Sequence, residues 1–313
     1  MEIDPRVTSA EQLALLARFG FRHLSAGVQD FDPRVQAIVN REQSEQQTRE
    51  TIDAARRLGF QTISLDLIHG LPLQSAASVN LTMDTVSRLR PERIALYAYA
   101  HVPWIKPGQR RFTENELPEE EQRRALYELS RLRLAAEGYH EIGLDQFALA
   151  SDPLWQAQRA GTLNRNFMGY SSVCAQPLIG LGVSSMGDSG SALVQNDKDL
   201  QPYRDAVAGG RLPLQRGHLL TMEDRVLRRH ILRLVTRLET RWDATAEQTP
   251  YLTEIAGRLA EPQRDGLVVL DAHGCRVTET GRPFLRNLCM AFDARQARRL
   301  PHRSLVRSVR TAS

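Results

Sequence analysis

Residues 62–72 read Thr62-Ile63-Ser64-Leu65-Asp66-Leu67-Ile68-His69-Gly70-Leu71-Pro72. Up to Ile68 this is a β-type run, and Gly70 and Pro72 close it. The run is almost continuous in apolar residues, as expected for a parallel strand covered on both faces. Asp66 breaks it. A lone carboxylate inside a buried strand is costly unless it is bonded or paired, so Asp66 calls for either a structural ion pair or a ligand.

Working outward, residues 1–3, His23–Gln29 and 93–100 have the same extended character. Helical patterns fill 8–20, 44–59 and 77–90 between them. Thr8-x-x-Glu11 and Ser9-x-x-Gln12 have capping-box spacing ahead of Leu13, while Gly20 and Gly59 stand where left-handed helix ends are wanted. One helix between successive strands is the arithmetic of repeated βαβ units. Each strand carries polar residues at or just past its carboxyl end, which is the active face of barrels and open α/β sheets. The first part is therefore expected to be half of an α/β barrel with a polar mouth. Beyond it come a long helix over 119–137, a strand over 139–143 and a loop-rich stretch over 145–196. From about residue 201 the chain is expected to be mainly helical, with helix–hairpin–helix at 251–292 in the outline of a winged-helix module. Residues 294–313, rich in Arg, are expected to be a frayed tail.

The 313 residues are 42% hydrophobic and 25% charged, an ordinary globular balance. No apolar run has the length of a membrane span, and no basic-then-apolar leader opens the sequence. The 41 basic residues are nearly matched by 37 acidic ones, and among the basic ones only Lys106 and Lys198 are lysine. This Arg bias reads as gene composition rather than as a nucleic-acid footprint. A nucleic-acid module, raised by the winged-helix outline and the Arg-rich end, is disfavoured because basic and acidic residues interleave outside the tail. Cys174, Cys275 and Cys289 lie far apart, with no close cysteine pair for a zinc or iron–sulfur site and no disulfide framework, so a reducing cytoplasm is the expected setting. No histidine pair has metal-ligand helical spacing, and no Gly-x-Ser-x-Gly elbow is present.

Three further residues face the expected mouth. Glu2 could hold an ammonium or a ribose hydroxyl, or be a solvated terminal residue. Arg41 could clamp a carboxylate through its planar fork, or lie on the surface. The Gln29 amide could read a polar ligand or satisfy loop backbone. Glycines across 180–187 bring backbone close to something, but without a dinucleotide or phosphate-loop spacing.

Several strings occur together, in order: Glu2-Ile3-Asp4-Pro5-Arg6, Ser25-Ala26-Gly27-Val28-Gln29-Asp30-Phe31, Asp66-Leu67-Ile68-x-Gly70-Leu71-Pro72, Tyr99-Ala100-His101-Val102-Pro103-Trp104-x-Lys106-Pro107, Asn166-Phe167-x-Gly169-Tyr170, Gly180-x-Gly182-Val183-Ser184 and Arg286-Asn287-x-Cys289-Met290-x-Phe292-Asp293. Over residues 1–293 the chain resembles the oxygen-independent coproporphyrinogen III oxidases, radical S-adenosylmethionine enzymes of haem biosynthesis. The resemblance implies an α/β fold, the C-terminal half of a partial radical-SAM (β/α) barrel, followed by a mainly helical, winged-helix-like domain. The expected division is 1–112 for the partial barrel, 113–200 for its completion with substrate and cofactor loops, 201–293 for the helical domain and 294–313 for the tail.

The resemblance implies oxidative decarboxylation of two propionates of coproporphyrinogen III, giving protoporphyrinogen IX, with two S-adenosylmethionine molecules and a [4Fe–4S] cluster. It makes Glu2 a contact to the cluster-bound S-adenosylmethionine. It makes Gln29, Arg41 and Asp66 contacts to the second, with Ala100 contributing backbone. Met186 falls where the family usually has Ile contacting the first molecule, and Gln146 where His is common. The family's Cys-x₃-Cys-x₂-Cys motif is absent from these 313 residues. The chain is therefore expected to be the C-terminal portion of a longer protein, inactive alone, with a missing N-terminal half as partner and an unspecified electron donor. A non-catalytic tetrapyrrole- or haem-binding relative is the alternative, and retention of Gln29, Arg41 and Asp66 together argues against it.

Overall fold

The computed structural model describes residues 1–175 and 177–299. The described chain divides into two compact units, 1–156 and 157–299. The first contains β1 (Glu2–Ile3), α1 (Ala10–Arg18), β2 (His23–Gln29), α2 (Pro33–Ile38), α3 (Glu45–Arg57), β3 (Thr62–His69), α4 (Ala76–Leu89), β4 (Arg93–Ala98), α5 (Glu120–Ala136), β5 (Tyr139–Gly143) and β6 (Gln146–Leu149). One sheet runs β1-β2-β3-β4-β6-β5. Its first four strands are parallel, and the β5–β6 hairpin is added antiparallel to β4.

The four parallel strands and the helices between them fall where the sequence places them. Ser9 and Ser44 close capping boxes on α1 and α3 with Gln12 and Gln47. The helix α2 was not foreseen. It starts on Pro33 behind an Asp32 cap that accepts from the backbone of Arg34 and Val35.

The expectation that both strand faces are alike is corrected. In β3, Ile63, Leu65 and Leu67 are buried while Ser64, Asp66 and Ile68 are only partly so. In β2, Leu24, Ala26 and Val28 are buried and Ser25, Gly27 and Gln29 are not. The buried set packs with Leu13, Ile52, Val79, Val86 and Leu126 of the helices into one core. Period-two alternation thus leaves the other face polar.

The carboxyl ends of β2 and β3 are tied together by a buried polar network. Asp30, 1% exposed, accepts from Thr82 Oγ1 at 2.9 Å, Gln74 Nε2 at 2.6 Å and the Asp32 amide at 2.7 Å. Gln74 also donates to the Ile68 carbonyl and accepts from the Gly70 amide. Burial raises the Asp30 carboxyl above its ordinary value, against the lowering effect of these bonds.

The division of the chain falls within α6 (Pro153–Arg159). The second unit then holds β7 (Asn164–Asn166), β8 (Gly169–Ser171), β9 (Met186–Asp188), β10 (Ala192–Asn196), α7 (Leu200–Ala208), β11 (Leu214–Leu219), α8 (Met222–Arg237), β12 (Glu239–Arg241), α9 (Leu252–Arg264), β13 (Val268–Asp271), β14 (Gly274–Val277), α10 (Leu285–Cys289) and α11 (Ala294–Arg299). The stretch read as loops contains a two-stranded hairpin, β7–β8, and two strands of the sheet β11-β10-β9. Likewise β11 interrupts the region expected to be helical. The strands β12, β14 and β13 form a three-stranded antiparallel sheet. Against them His230, fully buried, exchanges hydrogen bonds with Thr240 Oγ1 at 2.7 Å and the Glu247 carbonyl at 2.9 Å. Residues 294–299 are helical, with Ala294 and Ala297 buried, not frayed. The remainder of the expected tail, 300–313, lies outside the described residues.

The two strand faces make a direct prediction. Leu65→Ala, on the packed face, should destabilise the protein by about 2–5 kcal/mol in urea unfolding. Ser64→Ala, on the polar face, should change stability by no more than about 0.5 kcal/mol. Equal losses would contradict the assignment of faces.

Candidate functional site

Register sets which side chains meet on the polar face. Glu2 pairs with Ser25, Gly27 with Asp66, and Asp66 with Ala95 of β4. Gln146 of β6 pairs with Ala95 from the other side. Glu2, Ser25, Asp66 and Gln146 are therefore drawn from four different strands onto one face. The sequence reading found Glu2 and Asp66 but not Ser25, whose hydroxyl donates to Asp66 Oδ2 at 2.9 Å. Tyr97, two residues beyond Ala95 on the same face, was also missed. The signal for both was parity along the strand.

Burial pushes the Asp66 carboxyl up to about 6, the Ser25 bond opposing and the nearby Glu2 charge reinforcing the shift. Relative to an ordinary aspartate this costs about 3 kcal/mol when the group is ionised. Such a group is poised for a cationic or hydroxyl-bearing partner that would restore the charged form.

Arg41 follows α2 and reaches back over the sheet. Its Nη2 donates to the Gly27 carbonyl at 2.8 Å and lies 3.3 Å from Asp4 Oδ2. A Cβ on residue 27 would sit 2.9 Å from the same Nη2, so glycine there makes room for the guanidinium. Asp4 is held by a two-pronged Arg6 contact and its carboxyl is lowered to about 2, first by the Arg6 hydrogen bond. With Asp4 shared between two arginines, Arg41 is only partly neutralised. Its Nε is buried with no hydrogen-bond partner among the described residues. A buried, unpaired guanidinium N–H beside a fork already fixed in place is fitted to receive a carboxylate.

Gln29 ends β2 just past a register shift, with φ at +72°. A left-handed glutamine at a bulge is a costly conformation of the kind found where a side chain is re-aimed. Its amide has no hydrogen bond among the described residues. Ala100 follows β4 and its carbonyl accepts from Gln109 Nε2 at 3.0 Å. Glu2, Gln29, Arg41, Asp66 and Ala100 all belong to the first unit, whereas Met186 opens β9 in the second.

Among the described residues no three His, Cys, Asp or Glu side chains are grouped to hold a metal ion. Burial pushes the Cys275 and Cys289 thiols up to about 12, so both behave as apolar side chains, and Cys174 is exposed. The residues present therefore fit a small ligand bearing a carboxylate and hydroxyl or cationic groups. They do not fit an iron–sulfur cluster.

Residues 1–105 match the model of the Radical SAM superfamily. The oxygen-independent coproporphyrinogen III oxidase of Pseudomonas aeruginosa is 39% identical over 298 residues, which are 94% of this chain and 65% of that protein. That of Escherichia coli is 38% identical over 300 residues, again 94% of this chain and 65% of the relative. This chain thus spans about two-thirds of the length of those two relatives. The protein of the same description from Thermostichus vulcanus is 36% identical, with 94% of this chain matched to 92% of its own length. Among solved structures, coproporphyrinogen III oxidase from Escherichia coli superposes with a TM-score of 0.88, covering 94% of this chain and 69% of that one. The mixed sheet with its flanking helices is accordingly the α/β fold of that enzyme, and with likeness sustained across nearly the whole of one relative the chain belongs to the oxygen-independent coproporphyrinogen III oxidase family of radical SAM proteins.

Proposed function

We propose that this chain supplies the S-adenosylmethionine-binding and substrate-facing part of an oxygen-independent coproporphyrinogen III oxidase. The reaction is oxidative decarboxylation of two propionates of coproporphyrinogen III to the vinyl groups of protoporphyrinogen IX, in haem biosynthesis. The observation that carries this reading is the partly buried Asp66 carboxylate on the same sheet face as a partly neutralised Arg41 whose Nε is unpaired. A carrier that only held a tetrapyrrole would have no use for that pair.

S-adenosylmethionine, when bound, supplies the hydrogen-abstracting chemistry that starts the oxidation. The chain's own residues bind and orient it. Arg41 offers its free N–H to the methionine carboxylate. Asp66 accepts from ribose hydroxyls or faces the sulfonium, and Gln29 adds an amide contact. Ala100 contributes backbone to the same molecule. Glu2 serves the other S-adenosylmethionine, and Met186 stands at the position where the family usually has Ile. The [4Fe–4S] cluster of the family finds no ligand set in the three cysteines, so its thiolates come from polypeptide other than these 313 residues. A cytoplasmic setting suits unpaired cysteines, and no helix among the described residues is long and apolar enough to cross a membrane.

Two outcomes follow. Calorimetric binding of S-adenosylmethionine should strengthen by about tenfold from pH 5 to pH 7.5, because Asp66, with its carboxyl at about 6, is neutral at the lower pH and ionised at the higher. Asp66→Asn should weaken binding by about tenfold at pH 7.5 and flatten the profile. A flat wild-type profile would remove Asp66 from the site.

Anaerobic turnover of coproporphyrinogen should be absent with the chain alone. It should appear when a cluster-bearing N-terminal segment from the Pseudomonas aeruginosa relative is added and reconstituted with iron and sulfide. Stoichiometric haem binding with no turnover in either case would favour the carrier reading instead.

A further inference from the structure

Within the second unit, the β7–β8 hairpin, Asp188 of β9 and one side of α8 enclose a cleft of about 200 Å³. Five guanidiniums line it: Arg165, Arg228, Arg229, Arg233 and Arg237. Their carboxylate partners are too few. Asp188 is taken by Arg228, at 3.0 Å from its Nη1 with a second contact through Nη2. Glu247 is shared between Arg229 at 3.5 Å and Arg233 at 3.0 Å.

Arg165 and Arg237 have no carboxylate among the described residues. Arg165 lies over the Tyr170 ring with its central carbon 4.8 Å from the centroid, and that ring is pinned by a 2.7 Å bond from its hydroxyl to the Val235 carbonyl. Among the described residues Arg237 donates only to the Gly161 carbonyl, at 3.2 Å. Moreover Arg229, Arg233 and Arg237 follow one another at i, i+4 along α8, a repulsive arrangement that Glu247 relieves for two of the three. Five cations against two carboxylates leave an excess of three positive charges around one concavity.

The surroundings narrow the anion's chemistry. The turn of the β7–β8 hairpin carries Phe167 and Met168, 67% and 81% exposed, and Val173 on the cleft wall is 66% exposed. A cationic pocket next to bare apolar surface matches a ligand with an apolar body and carboxylate arms. The cavity falls below the roughly 300 Å³ at which pockets begin to enclose a drug-sized ligand, so it can take arms and not the body.

We propose that this cleft receives propionate side chains of the tetrapyrrole, with Arg165 and Arg237 as the two guanidiniums available to pair with them. This rests on the reading of the chain as a coproporphyrinogen oxidase. It adds a carboxylate subsite in a part of the chain separate from Gln29, Arg41, Asp66 and Ala100.

The test uses the full chain and air-stable coproporphyrin III, followed by absorbance and by quenching of its fluorescence. Wild-type protein should bind it, with affinity falling as salt rises, and should bind the tetramethyl ester at least tenfold more weakly. Arg165→Ala and Arg237→Ala should each weaken coproporphyrin binding by about tenfold, with Arg165→Lys intermediate and S-adenosylmethionine binding unchanged. Unaltered S-adenosylmethionine binding and thermal unfolding serve as the check that the variants are folded.

Coproporphyrin binding unaffected by either variant would overturn the subsite while leaving the functional reading intact. Failure of the wild type to bind coproporphyrin while it binds S-adenosylmethionine would also overturn it. So would displacement by millimolar inorganic phosphate to the same extent for acid and ester, which would mark a general anion site. Loss of S-adenosylmethionine binding in the wild type as well would count against the functional reading itself.

Discussion

In-register pairing of β1, β2 and β3 is the constraint on which the rest of the structure depends. The side-chain period in a strand is two, so a slip by one residue would send Asp66 into the core and Leu65 to the opposite face. Three buried apolar residues of β3, and three of β2, oppose any such slip. The hydrophobic core therefore does more than stabilise the unit, because it fixes which polar atoms share the other face. The network around Asp30 acts at the open end of the same strands, fastening the exits of β2 and β3 to each other through Gln74.

On that face the electrostatics are arranged as a graded set. Asp4, bonded by Arg6 and near Arg41, is held well below the ordinary carboxylate range, while Asp66, only two strands away, is pushed above it. Two aspartates in one neighbourhood thus differ because one has guanidinium donors, whereas the other is desolvated by burial with a single hydroxyl donor and a like-charged neighbour. Ionisation divides their work: Asp4 spends its charge fixing Arg6 and Arg41, whereas Asp66 keeps acceptor capacity for an incoming group. Arg41 stands between these roles, fastened by Nη2 to the Gly27 carbonyl with its Nε still unpaired.

Most of this was legible in the sequence where periodicity was long. Three of the four parallel strands, three helices and the isolated Asp66 were read from runs of six residues or more, and β1 from residues 1–3. The strand β5 was expected, but its partner β6 escaped because the two-residue turn between them places Leu144 at φ +40° and Asp145 at φ +73°, the geometry that usually advertises itself as Asn-Gly. The strands β7 to β9 are three residues each, too short for any period to declare itself. Continuous apolar character in β3 concealed its two faces because Ile68 sits on the polar one. For Gln29 and Arg41 the residues alone left a ligand contact and a bland reading open, and only likeness to a family favoured the contact. A bulge, a positive φ and an unpaired Nε are properties of the folded chain.

The cysteines complete the physical picture of what this polypeptide can contribute. A thiol becomes a metal ligand or a redox group through its thiolate, and burial beside apolar side chains and another sulfur moves Cys275 and Cys289 away from that state. Every group brought together on the sheet face is instead an oxygen acceptor or a nitrogen donor. Such groups bind, orient and neutralise, and they change no oxidation state. Two parts of the chain share that character: a mixed-charge strand face suited to a zwitterionic nucleoside, and an arginine-rich cleft suited to carboxylates. In both parts the groups present are of the kind that bind and orient a ligand by hydrogen bonding and charge pairing.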